Sequence, residues 1–106
     1  MVKTTLFGKT TEKSEDFKEL KLEYYITSEP LCADYSDLMR YGIKINMILH
    51  HFDNTTTEES KEIRDIFYRK HDAEEFTEIL MRNKVTPTHF REVVEDYVTS
   101  KLKVRA

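Results

Sequence analysis

The spacing of apolar residues changes once along this chain, and that change limits what it can fold into. In KELKLEYYIT, residues 18–27, Leu20, Leu22, Tyr24 and Ile26 alternate with charged or polar neighbours. Successive side chains of a strand point to opposite faces, so this is the pattern of a half-buried strand. The same period runs through YGIKINMILHHF, residues 41–52. There Ile43, Ile45, Met47 and Leu49 share one face, with Lys44, Asn46 and His50 on the other, which Ile48 and Phe52 interrupt. Further on the period lengthens to three and four. Phe76, Ile79 and Leu80, then Phe90, Val93, Val94 and Tyr97, form the stripes of two amphipathic helices. Each element has one apolar face to hide, so strands followed by helices make an α+β domain.

Punctuation residues set the expected boundaries. Pro30 ends the first strand, and LCADYSDLMR, residues 31–40, reads as a short helical turn after Asp34 or as a connection covering a sheet edge. DNTTTEE supplies hairpin chemistry, Asp and Asn tolerating tight backbone. Residues 60–70 suit a helix through Ile63, Ile66 and Phe67, and a strand through Ile66 and Tyr68; the preceding hairpin favours the strand. Asp72 with Glu75 three residues on has capping-box spacing, and Asn83 is a stop. Thr86 is the expected N-cap of the last helix, Pro87 its first residue, and Val85 with Phe90 its hydrophobic staple. The expectation is a small three-stranded antiparallel sheet followed by a C-terminal helical hairpin packed on one face. That domain spans 17–100, between a mobile segment at 1–16 and a basic tail at 101–106.

A chain of 106 residues holds one modest core. Its net charge of −3 is uneven: residues 51–80 carry nine acids against four bases, and 81–106 six bases against three acids. A nucleic-acid contact would use that basic end, with Arg82, Lys84 and Arg91, and stacking faces from Tyr24, Tyr25 and Tyr68. The acidic middle would repel a polyanion, which disfavours this reading. Cys32 is alone, so no internal disulfide forms and a reducing compartment fits. With no signal-peptide core and no membrane-length apolar run, the expected location is the cytoplasm.

Little in the chain points to catalysis. His50 and His51 are adjacent in a strand and face opposite ways. His89, Glu92 and Asp96 share a helix flank, and His89 with Asp96 are weak metal candidates, because an H-x-x-x-H pair is missing. Cys32 has only Glu29 and Asp34 near it in sequence, neither a good base for a thiol nucleophile. The two glycines, Gly8 and Gly42, cannot build a phosphate loop. No catalytic residue and no cofactor is implied. The expected role is a non-enzymatic regulatory or adaptor protein that binds another protein, or a second copy of itself, through a sheet edge or the helical hairpin. Tyr24, Tyr68, Arg82, Lys84 and Arg91 are its candidate contact residues. Nucleic-acid association is the alternative, and metal binding a lesser one.

YGIKI at 41–45 and NKVTPTHFREVVEDYV at 83–98 resemble a family of short bacterial proteins catalogued as a domain of unknown function. The resemblance runs over residues 24–98 and takes in a YYIT-like strand, a YGI strand and a closing helical pair. Its most specific element is the N-x-V-T-P step into an acidic helix. It implies small cytoplasmic proteins, mainly of anaerobic spore-forming bacteria, without catalytic residues to transfer. LCADYSDLMR has no counterpart in it.

Overall fold

Alternating apolar residues build the sheet, and in the computed structural model it has four strands. The structure describes residues 2–32 and 35–105, with 31, 32, 35–37 and 100–105 described by backbone alone. The elements are β1 (Lys3–Glu12), β2 (Glu19–Cys32), β3 (Tyr35–His50), β4 (Thr56–Phe67), α1 (Lys70–Arg82) and α2 (Pro87–Arg105). The sheet is an antiparallel meander in the order β1-β2-β3-β4. The expected three strands are therefore corrected to four. The added strand comes from the segment expected to be a mobile lead-in.

The reason β1 escapes a periodicity test is a bulge. Leu6 lies opposite Tyr25 and Gly8 opposite Tyr24, which leaves Phe7 as the extra residue. Leu6 is therefore half exposed, while the adjacent Phe7 packs toward the core. Two neighbouring apolar residues read as noise in a period of two. Yet the threonines around them favour extended backbone.

β2 does not stop at Pro30, which pairs with Met39. β1 pairing ends at Lys3 opposite Ser28, so Pro30 lies where β2 is an edge and proline is tolerated. Of residues 31–40, 33 and 34 lie outside the described residues, and Tyr35–Arg40 belong to β3. At the β3–β4 turn, His51 N–H donates to the Thr55 carbonyl at 2.9 Å and Asn54 takes a left-handed φ of 70°. Residues 60–67 are strand, as the hairpin suggested.

One sheet face is covered by helices. Leu22, Tyr24 and Ile26 of β2, Ile43 and Ile45 of β3 and Phe67 of β4 meet Ala73, Phe76 and Leu80 of α1, and Phe90 and Val94 of α2. Each of the Leu, Ile, Val and Phe side chains contributes about 1.5–3 kcal/mol when fully buried. Phe67, Phe76 and Tyr97 cluster with centroids 4.4–5.9 Å apart, joining β4 to both helices. The opposite face carries polar pairs such as Asn46 Nδ2 donating to Glu23 Oε1 at 3.0 Å.

Helix ends depart from the expected caps. α1 begins at Lys70, its N-cap Arg69 makes no side-chain capping bond, and Asp72 instead lies inside the first turn, where its charge suits the positive helix end. Asn83 is the C-cap, as expected. Beyond it Lys84 takes φ 53°, its N–H bonding the Met81 carbonyl and Val85 N–H the Leu80 carbonyl. This is a Schellman closure with lysine in the position glycine usually holds. α2 does begin at Pro87. Thr86 closes its start through its carbonyl, which accepts from His89 N–H at 3.1 Å, rather than through its hydroxyl.

Candidate functional site

β2 and β3 are longer than their neighbours, and this difference creates the most distinctive surface. β1 leaves the sheet at Ser28, and β4 leaves it at Phe67 opposite Tyr41. The β2–β3 ladder continues through Glu29 opposite Arg40, Pro30 opposite Met39 and Cys32 opposite Tyr35. Residues 29–32 and 35–40 thus form a two-stranded ribbon beyond the sheet. Leu38 on it is half exposed.

The ribbon is anchored at its root by charge. Arg40 Nε lies 3.0 Å from Glu29 Oε1, and its Nη1 lies 3.8 Å from Asp65 Oδ2. Asp65 has φ 63° and sits in a β4 bulge, because β4 spends residues 64–66 opposite the single residue Gly42. Such partly exposed pairs are worth under about 1 kcal/mol each, so they orient more than they stabilise.

Beside the root, on the helix face, lies a hollow of about 300 Å³. Ile26, Phe7, Ser28 and Tyr41 line it together with the exposed Lys3 and Lys70. Leu6, Thr5 and Glu74 complete a lining that is about equally apolar and polar. Tyr68 is 64% exposed and follows Phe67, the β4 residue opposite Tyr41, so it stands next to the same root.

The other candidate contact residues do not join Tyr68. Tyr24 is fully buried, and its hydroxyl donates to the Val85 carbonyl at 3.0 Å. Burial, reinforced by Glu12, pushes its phenol up to about 12. It offers no stacking face and is corrected to a core residue, because its alternation with Glu23 and Tyr25 turns it to the helices. Arg82 pairs with Glu78 at 3.4 Å and Lys84 with Glu12, both at the far end of α1. That helix of 13 residues sets them about 20 Å from the ribbon root. Arg91 is exposed on α2 and makes no ion pair among the described residues. The basic set of the nucleic-acid alternative therefore contains two cations already paired.

His89 Nδ1 lies 3.9 Å from Glu92 Oε2, both exposed, and Asp96 is exposed on the same helix. Among the described residues no three His, Cys, Asp or Glu side chains come together as a metal site. The side chain of Cys32 lies outside the described residues. The ribbon is hidden from a reading in which Pro30 ends the strand. The signal available was the alternation of Met39 and Tyr41 with Arg40, which extends the YGI strand backward.

No helix of the described residues is long and apolar enough to cross a membrane. Neither a curated protein nor a solved structure matches the chain. A family model does match, over residues 3–100, which takes in all four strands and both helices up to Ser100. The chain therefore belongs to DUF6514, a family of unknown function.

Proposed function

We propose that this protein is a non-enzymatic regulatory or adaptor protein of a bacterial cytoplasm, that it binds another protein, and that the ribbon of 29–32 and 35–40 is its contact element. The observation carrying this reading is that β2 and β3 extend past both neighbours. A two-stranded ribbon alone is marginal in water, so one that bears half-exposed Leu38 gains from being covered. The neighbouring hollow and Tyr68 extend the surface. The outer strands suit strand addition less well, since a bulge at Phe7 interrupts β1 and another at 64–66 interrupts β4. The single cysteine accords with a reducing cytoplasm.

The test joins Glu29 to Arg40 through Asn-Gly, a two-residue turn suited to a hairpin, which removes the ribbon and keeps the four-stranded sheet. A photoreactive residue in place of Leu38 captures the partner in the cells that make the protein. The purified partner then binds the full chain, and binds the shortened chain at least about tenfold more weakly. Equal binding by both chains removes the ribbon from the proposal. No captured partner, together with a monomer at every concentration, removes protein binding itself.

A further inference from the structure

At the end of the sheet opposite the ribbon, the β1–β2 loop and the last residues of β3 border an open cleft of about 420 Å³. Its lining is Lys13, Lys18, Glu19, Lys21 and His50. The loop that presents it is built by local bonds. Asp16 N–H donates to Ser14 Oγ at 3.1 Å, and Lys18 N–H donates to the His50 carbonyl at 2.9 Å. These backbone contacts hold Lys18 and His50 side by side whatever their side chains do.

The residues lining the cleft are mostly basic, although the chain as a whole is acidic. The whole chain has a net charge of −3, yet three ammonium groups share this cleft with one carboxylate. Glu19 is engaged by Lys21 at 3.4 Å. Lys13 and Lys18 both line the cleft, and neither makes an ion pair among the described residues. Like charges gathered at one place repel unless a counter-ion joins them. Two unpaired ammoniums match the charge of a phosphate monoester, and His50 adds a ring nitrogen that can share its oxygens.

We propose that this cleft binds a small phosphorylated molecule, with Lys13 and Lys18 holding the phosphate and His50 contributing a hydrogen bond. The volume suits one small ligand, since pockets for such molecules begin at about 300 Å³. A nucleic-acid strand fits less well. Glu12, Glu15 and Asp16 neighbour these lysines in sequence without lining the cleft, and they would repel phosphates continuing past it. The site is independent of the ribbon, and its failure leaves the protein-binding reading untouched.

The experiment follows amide shifts of the full chain during titration with inorganic pyrophosphate at low ionic strength, beside sodium chloride at matched ionic strength. Saturable shifts confined to residues 13–21 and His50, with a Kd of about 1 mM or tighter, are expected for pyrophosphate alone. Lys13→Gln with Lys18→Gln weakens binding at least about tenfold and leaves the remaining amide spectrum unchanged. Shifts that do not saturate, or that sodium chloride reproduces, overturn the proposal. So does undiminished binding by the double variant. A short single-stranded oligonucleotide that binds the cleft more tightly than pyrophosphate would replace the small ligand with nucleic acid.

Discussion

Tyr24 shows how one residue can be half legible. Its alternation with polar neighbours places it on the apolar face, yet its hydroxyl needs a partner there. That partner is the Val85 carbonyl, 61 residues away, which no local pattern announces. The folded state holds the phenolic proton up to about 12, against 10.0 for an ordinary tyrosine. An acid whose folded pKa is raised contributes stability that is complete below the ordinary value. That stability is lost as pH rises toward the folded one. Unfolding midpoints should therefore fall between pH 10.0 and about 12. Tyr24→Phe should cost about 1–2 kcal/mol at neutral pH, because the Val85 carbonyl loses its donor. It should also flatten the alkaline decline, and denaturant titrations at neutral and alkaline pH read both effects. A decline as steep in the variant as in the wild type would assign the alkaline loss to another group.

Among the elements, the helices are legible from their stripes; the stop at Asn83 and the start at Pro87 hold, and only the α1 cap shifts, from Asp72 to Arg69, because caps depend on backbone geometry. The strands hid more, through their bulges. The β4 bulge needs Gly42: an added Cβ would sit 2.5 Å from the Ile63 carbonyl oxygen and 2.6 Å from Arg64 Cα. Both are backbone atoms and neither can swing aside. At Gly8 a Cβ would meet only the end of the Met81 side chain, 2.6 Å away at Cε, and methionine can turn. Gly42→Ala should therefore destabilise by about 2–3 kcal/mol, and Gly8→Ala by less. Parallel denaturation curves of the two variants decide it, and an equal cost at both positions would contradict the close approach at Gly42. The YGI step of the sequence thus has a packing reason, the bulge that brings β4 across β3.

For the whole molecule, each strand pairs with its sequence neighbour, and α1 reaches all four strands while α2 lies over β3 and β4. Protection from hydrogen exchange should follow that arrangement. Amides of β2 and β3 from Leu20 to Ile26 and from Ile43 to Leu49 should exchange slowest, since partners flank both sides. Ribbon amides at 29–32 and 35–40 should exchange fastest among the strands. Exchange followed by mass spectrometry or NMR measures the order. Ribbon amides as slow as those of the central strands in the isolated chain would mean that the ribbon is already covered.

The local pattern was enough for the α+β class, the two central strands, the two helices and most of the core, because periods of two and of three to four are set by backbone geometry over a few residues. Tertiary structure decided the rest. A bulge hid β1 from any test of alternation. Pro30 continues a strand because β1 pairing ends two residues earlier. Lys13, Lys18 and His50 became neighbours because a β1–β2 loop folds back on the end of β3. Those outcomes depend on which strand lies beside which, and that relation is formed only when the sheet closes.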